Sequence, residues 1–246
     1  MRNRLLLTRL FLLITGVFFL LPIVNAQTNR RLSFEVSPLY SYIDVRLGKY
    51  AGRNNPGLED PQPGFGGAIK YEVDLSSLVS LSAGIGFERR HHAYSSVLYD
   101  TASPIIHLGD DRPYQLSYET SYDFIGIPVA LHINYLNSPG LRVYQSFGTR
   151  FGFMAQSSNK IKWYYEDNSP YDTFKKGTDG KTDVVVSLTS SIGICKNLTR
   201  LVAFKIEPGI SYMANNFFES SWAHMKYLDL IVDVGIVYNL YGNKDK

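Results

Sequence analysis

The fold is decided by the stretch Tyr227–Tyr241, which reads YLDLIVDVGIVYNLY near the end of the chain. Every even-numbered position from 228 to 240 is apolar, whereas the odd-numbered positions include Asp229, Asp233 and Asn239. A period of two places alternate side chains on opposite faces of a β-strand. The stretch therefore predicts a strand with one apolar face and one polar face that carries charges near its middle.

The same two-faced pattern recurs along the rest of the chain. Including the last stretch, it predicts eight strands: Leu32–Ile43, Phe65–Leu75, Ser77–Phe87, Gln115–Tyr135, Leu141–Ala155, Val184–Cys195, Val202–Tyr212 and Tyr227–Tyr241. In the fourth, the aromatic first half is out of phase with the second half, which predicts a β-bulge near Asp123–Ile125.

The connections between these strands alternate between short and long. The short ones lie at 76–77, 137–140 and 196–200, and the long ones are expected at about Gly48–Pro63, Arg89–Tyr114, Ser158–Lys181 and Asn215–Met225. This alternation is typical of an up-and-down meander across a membrane. The segment Gln27–Arg31 and the tail Gly242–Lys246 are expected to be frayed ends.

The composition of the two faces favours a membrane barrel over a soluble one. Eight strands enclose only enough volume for side chains, and bulky apolar residues on every strand would overfill that space. The polar faces instead combine small Gly and Ser residues with long charged ones. We therefore expect these to point inward: Glu35, Lys70, Glu72, Glu88, His132, Arg142, Arg150, Lys205, Glu207, Asp229 and Asp233.

Aromatic residues on the apolar faces support this orientation. Tyr40, Tyr42, Phe65, Phe87, Phe153 and Tyr212 lie toward the long loops, and Phe34, Tyr135 and Tyr238 lie toward the short turns. Two aromatic belts are typical of strands that cross a bilayer. Inside the barrel, Glu207 and Asp233 should be neighbours that need a cation, with Lys205 and Arg150 as candidates. A mixed-sign network would then fill the lumen and close it to ions.

The N-terminal residues indicate the compartment. Three Arg precede an apolar run at 10–21, and Pro22 and Val24-Asn25-Ala26 follow. This predicts a signal peptide at 1–26, cleaved before Gln27, and an outer-membrane β-barrel domain at 27–246. The whole chain has 25 basic and 22 acidic residues. Removing the three Arg leaves 22 of each sign, which excludes an argument for nucleic-acid binding. The single Cys195 excludes an internal disulfide, and no apolar run after residue 26 is long enough for a transmembrane helix.

Two segments carry a resemblance to a known family. The stretch 122–131, YDFIGIPVAL, places an Ile-Pro-hydrophobic core after an aromatic entry, and 147–153, FGTRFGF, alternates Gly with aromatics. Together with the layout, they resemble the Bacteroidota outer membrane beta-barrel family that includes PorT-like proteins, over about residues 32–241. The resemblance implies an eight-stranded barrel in a Gram-negative outer membrane. It also implies, for PorT itself, an association with type IX secretion.

Residues with possible chemistry do not form a recognisable site. His91 and His92 are adjacent and should point to opposite faces, so they cannot chelate one metal ion. Ser95, Ser96 and His92 supply residue types for a rim-site hydrolase, His107 with Asp110-Asp111 is more typical of a solvated loop, and Asp100-Thr101-Ala102 resembles an O-glycosylation site. We expect no catalytic, cofactor-binding or metal-binding residues, and no enzyme activity.

The sequence thus predicts an all-β, eight-stranded antiparallel up-and-down transmembrane β-barrel. It would lie in the outer membrane with extracellular loops and periplasmic termini. Its expected function is structural or that of a surface or envelope-machinery (PorT-like) component with a filled polar lumen. Its partners would be the lipid bilayer, lipopolysaccharide, and envelope secretion or adhesion proteins. A porin-like small-solute pore and, less favoured, a rim-site lipid-modifying enzyme are the alternatives.

Overall fold

A computed structural model describes residues 29–47, 59–97, 115–138, 140–164, 170–176, 184–216, 218–219 and 223–240. These contain ten strands: β1 (Arg30–Leu47), β2 (Glu59–Asp74), β3 (Val79–Val97), β4 (Gln115–Asn137), β5 (Leu141–Tyr164), β6 (Pro170–Lys176), β7 (Val184–Asn197), β8 (Val202–Met213), β9 (Phe218–Glu219) and β10 (Ala223–Asn239). The segment predicted to be a signal peptide lies outside these residues. In the part of the chain that is described, no helix is long and apolar enough to cross a membrane.

Eight of the strands form a closed antiparallel barrel. The order β1-β2-β3-β4-β5-β7-β8-β10 follows the chain, and β1 pairs with β10 from Arg31↔Asn239 to Leu47↔Ala223 to close it. All of these pairings are antiparallel. Closure leaves no unpaired edge in the wall of the barrel. The predicted eight-stranded, all-antiparallel β-barrel is therefore confirmed.

The side chains alternate between the two sides of the wall as the sequence indicates. On β8, Ala203, Lys205 and Glu207 are buried, whereas Phe204 and Ile206 between them are exposed. The aromatic belt residues follow the same rule, since Tyr42, Phe65 and Tyr212 at the long-loop end and Phe34, Tyr135 and Tyr238 at the short-turn end are all exposed. The outer surface of the barrel is thus apolar and its interior is polar.

Several strands extend further than the alternation predicted. β2 begins at Glu59, β3 continues to Val97, and β5 continues to Tyr164. The predicted long loops at 48–63, 89–114, 158–181 and 215–225 were therefore too long. β6 pairs with the far end of β5, and the two-residue β9 pairs with β10. These extensions carry polar residues on both faces, so the period that marks the rest of each strand is lost there.

The irregularity predicted near Asp123–Ile125 lies in the right place but on the neighbouring strand. Asp123 pairs with Gln156 and Phe124 pairs with Met154, so that Ala155 of β5 is the extra residue. β4 keeps one phase from Thr120 to Asn134, because Tyr122 and Phe124 point inward like Gly126, and its own register shift lies further on, between Asn134 and Leu136. The prediction of a phase change in β4 was wrong because it assigned every aromatic residue to the apolar outer face.

Candidate functional site: the charged lumen

The lumen contains three tiers of charged side chains between the short turns and the long loops. The sequence predicted the inward orientation of eleven of them, and eight of these are buried: Glu35, Glu88, His132, Arg142, Lys205, Glu207, Asp229 and Asp233. Lys70, Glu72 and Arg150 are half-buried and also take part in ion pairs inside the barrel. The tiers are described in order from the turn end.

The tier nearest the short turns holds two Arg and two carboxylates. Arg31 pairs with Glu72 at 2.7 Å and with Asp74, and Arg142 pairs with Glu72 at 2.6 Å. Arg142 also donates to Asn134 Oδ1 at 2.6 Å. The tier joins β1, β2, β4 and β5 and balances its charges one to one. The sequence assigned Arg31 to a frayed end, and this was wrong, because its guanidinium lies inside the barrel.

The middle tier is built around Glu35, whose carboxylate lies between two ammonium groups. Lys70 Nζ lies 2.6 Å from Glu35 Oε2, and Lys205 Nζ lies 2.6 Å from Glu35 Oε1. Lys205 also pairs with Glu207 at 2.7 Å, and Lys70 with Asp233 at 3.2 Å. Four strands (β1, β2, β8 and β10) are therefore joined by one network across the centre of the lumen.

The predicted neighbours Glu207 and Asp233 are Cα partners in the β8–β10 pair. Of the two cations proposed for them, Lys205 is confirmed as the partner of Glu207. Arg150 was wrong, because it pairs with Glu88. The cation of Asp233 is Lys70, which reaches it from β2 past the intervening β1.

Hydroxyl groups also donate hydrogen bonds to the middle-tier carboxylates. Tyr144 Oη donates to Glu207 at 2.7 Å, and Ser191 Oγ donates to the other oxygen of the same group. Ser37 Oγ donates to Asp233 at 2.5 Å. The ring of Tyr144 fits only because β7 carries glycine at 193, where an added Cβ would lie 2.1 Å from Tyr144 Cζ. Hydrogen-bonded, paired charges of this kind avoid the cost of leaving an ion buried alone.

The third tier lies toward the long loops and is closed by aromatic residues. Arg90 pairs with Asp229 at 2.8 Å and with Glu88 at 3.3 Å, and Arg150 also pairs with Glu88. The guanidinium of Arg90 lies 5.3 Å from the ring centre of Phe124 and 5.4 Å from that of Tyr227. These two rings belong to an apolar cluster of buried residues that packs against this tier: Tyr122, Phe124, Val185, Met213 and Tyr227.

Sequence reasoning missed Arg90 and this apolar cluster. Arg90 was placed in a long loop because Arg89-Arg90-His91-His92 shows no apolar alternation. The inward orientation of Arg90 could have been predicted from the alternation along β3, because its even-numbered residues from Ser80 onward face inward and position 90 belongs to the same series. His92 continues it too and is buried, whereas His91 faces outward, which confirms that the two histidines point to opposite sides.

Small cavities lie among the tiers. Of the cavities in the described lumen, one has a volume of about 40 Å³ beside Lys70, His132, Glu207 and Asp233, and one of about 20 Å³ lies beside Glu88. Arg150 lines both. A water needs roughly 10–15 Å³ of such space, so the larger cavity has room for about three waters.

Most of the remaining candidate residues lie outside the part of the chain whose side chains are described. Within the described ranges, no group of three or more His, Cys, Asp or Glu side chains is placed to hold a metal ion. Ser95 and Ser96 lie in β3, but their side chains are outside the described set, as are Thr101, His107 and Asp110-Asp111. The expectation of no catalytic or metal-binding residue stays a prediction.

Comparison with known proteins gave matches among solved structures. No known family profile matches the chain, and no curated protein matches it in sequence. Neisserial surface protein A is 13% identical, with 83% of this chain and 96% of that chain covered and a TM-score of 0.37. The outer membrane protease OmpT of Escherichia coli is 10% identical, with 86% and 97% covered and a TM-score of 0.44. The outer membrane protein OprG of Pseudomonas aeruginosa is 8% identical, with 87% and 97% covered and a TM-score of 0.44. At such identities, these likenesses concern the fold alone.

Proposed function

We propose that this protein is an outer-membrane β-barrel whose filled lumen does not conduct, and that it acts structurally or as a surface component of the cell envelope. The observation that carries the proposal is the three-tier ion-pair network together with the apolar cluster that packs against its outer tier. Two cavities between these tiers have volumes of about 40 and 20 Å³. Neither is wide enough to pass a solute through the barrel.

The exterior supports the membrane location. The outward side chains of β1, β8 and β10 form a continuous exposed apolar surface that includes Val36, Ile206, Ile210, Leu230 and Ile236. An exposed apolar band between aromatic girdles is the arrangement that lipid stabilises and water does not. The short turns would face the periplasm and the long loops the exterior, where lipopolysaccharide and envelope proteins are the candidate partners.

The finer role follows from the resemblance of segments 122–131 and 147–153 to PorT-like proteins of Bacteroidota. We place this chain among the envelope-machinery components of that kind, without enzymatic activity. The extensions of β3, β4 and β5 and the added strand β6 support this, because they continue the hydrogen-bonded wall beyond the aromatic belt of the long-loop end, where a protein partner could bind. In-cell crosslinking from β6, for example with a photoreactive residue at Thr173, would capture an envelope protein; capture of lipid alone would contradict the machinery role.

A small-solute pore is the second candidate, and one observation favours it. Arg150 lines both cavities. Movement of this one side chain would join the two spaces into a longer polar path.

Planar-bilayer recording distinguishes the two candidates. The wild-type barrel should show no steady single-channel current, and Arg150→Ala should show small or intermittent currents at most, because Glu88 keeps Arg90 and the other two tiers remain paired. A large, steady wild-type conductance would contradict the closed lumen and favour the pore.

A further inference from the structure

One side of the outer wall carries polar side chains between the two aromatic belts. In the described wall strands, the outward-facing positions at this level hold apolar, aromatic, glycine or proline residues, with three exceptions: Gln145 and Thr149 on β5 and Ser190 on β7. β5 and β7 are neighbours in the barrel. The three polar side chains therefore lie together on one side of the barrel.

These three residues surround Phe147, which is 47% exposed. Ser190 is the Cα partner of Phe147 on the neighbouring strand. Gln145 and Thr149 lie two residues before and after Phe147, on the same face of β5. We call this surface, made of Gln145, Phe147, Thr149 and Ser190, the Phe147 patch. It sets one large side chain beside two small ones, so that a projection and a recess lie next to each other.

The polar groups of the Phe147 patch are only weakly satisfied within the chain. Gln145 Nε2 donates to Ser190 Oγ at 3.5 Å, and Tyr135 Oη donates to Gln145 Oε1 at 3.3 Å. Both contacts are longer than the usual hydrogen bond of about 2.9 Å. Hydrocarbon supplies no donor or acceptor that could complete them, so a polar group on a lipid-facing wall is costly without a protein partner.

We infer that two copies of this chain pair through the Phe147 patch as a two-fold symmetric dimer in the membrane. The amide and hydroxyl groups of the patch both donate and accept hydrogen bonds, and none of them is charged, so the patch is complementary to itself. Small and polar side chains are also the ones through which protein segments associate inside a bilayer. This inference rests on the membrane location proposed above.

A two-fold axis along the membrane normal brings the complementary groups together. In a two-fold interface the same surface of each copy faces the other. Phe147 and Ser190 lie at one level on adjacent strands, so Phe147 of each copy meets the recess at the partner's Ser190. Gln145 then comes within reach of the same hydroxyl. Because the patch is small, association depends on protein density, and at high lipid dilution the separated chains expose Phe147 to lipid.

The test measures energy transfer between full-length barrels labelled at the amino terminus with a donor or an acceptor and reconstituted together in vesicles. For wild type, transfer should increase with protein density and should rise linearly with the fraction of acceptor, as a dimer requires. Unlabelled wild type added at constant labelled density should reduce the transfer, because it replaces labelled partners.

A bulky substitution in the recess is compared with the same substitution on another wall. Ser190→Trp fills the recess and should abolish the transfer that unlabelled protein can reduce. Val36→Trp is the matched control, because Val36 is exposed on β1, four strands from β5 around the barrel, and should associate like wild type. Gln145→Leu keeps the size of the side chain and removes its amide, and should weaken association about 3- to 10-fold. Should Ser190→Trp fail to fold, Gln145→Leu decides the matter.

Wild-type transfer that unlabelled protein does not reduce would overturn the inference, because it would come from random encounters. Equal association of Ser190→Trp and Val36→Trp, or of Gln145→Leu and wild type, would overturn it too, and so would a curved dependence on acceptor fraction, which indicates a larger assembly. Quenching of Phe147→Trp by brominated lipid at high dilution tests the membrane location separately, so that a failure of the dimer and a failure of the location are distinguishable.

Discussion

The substitution Lys205→Met is the most severe test of the middle tier, because the Lys205 ammonium group pairs with two carboxylates, Glu35 at 2.6 Å and Glu207 at 2.7 Å. After its removal Glu35 keeps Lys70 at 2.6 Å, but Glu207 loses the one cation with which it is paired among the described residues and retains hydroxyl donors. Removing one partner of a buried pair leaves an uncompensated charge and costs about 3–5 kcal/mol. We therefore expect a loss of that size in the free energy of unfolding, measured by urea titration of the barrel folded into lipid vesicles.

Lys162→Met is the matched control for this substitution. Lys162 also pairs with a glutamate at 2.6 Å, but both partners lie at the outer rim and Glu119 is exposed. An exposed ion pair contributes about 0.2–1 kcal/mol, so this variant should stay within that range. The double variant Lys205→Met/Glu207→Gln should recover part of the loss. Equal costs for Lys205→Met and Lys162→Met would refute the idea that the lumen network is buried and interdependent.

Two further substitutions test the packing of the lumen and the outer surface. Gly193→Ala places a methyl group against the ring of Tyr144 and should lower the free energy of unfolding by about 1–3 kcal/mol. The control Gly140→Ala, with no atom within 4 Å of the new Cβ, should be nearly neutral. Urea titration compares the two variants, and a neutral Gly193→Ala would mean that Tyr144 is not held against β7. Ile192→Lys introduces a charge at an exposed position in the middle of β7 and should make the free energy of folding into vesicles less favourable by about 2–4 kcal/mol. The control Leu198→Lys, in the adjacent short turn, should fold normally. Equal folding yields of the two variants would contradict a lipid-facing β7.

The sequence predicts the barrel well because each side chain in the wall points either into the lumen or toward the outside. Strict alternation on β8 and β10 predicts an inward orientation for Lys205, Glu207, Asp229 and Asp233, and all four are buried in the structure. Closure of the sheet then follows from the eight strands and their connections. The eight-stranded fold and the charged lumen therefore follow from the period of two, taken together with the bulk of the apolar faces and the small and charged residues of the polar ones.

The pairing of the charges could not be predicted in the same way. Lys70 reaches Asp233 across the full width of β1, and this depends on strand tilt and side-chain length. Arg150 turns toward β3 and pairs with Glu88 there. Tyr122 and Phe124 point inward although aromatic residues suit a lipid face, because the apolar cluster of the outer lumen also accommodates them. Residue type alone does not distinguish these environments.

The orientation of the wall is tested most directly by tryptophan fluorescence in vesicles of brominated lipid. Phe147 lies on the exposed outer face of β5, and Phe124 lies inside the barrel on the adjacent β4. In a background with Trp163 and Trp222 replaced by Phe, a tryptophan at position 147 should be quenched several-fold more strongly than one at position 124. Equal or reversed quenching, or a wild-type chain that stays monodisperse in buffer without detergent, would contradict an apolar surface in lipid around a charged interior.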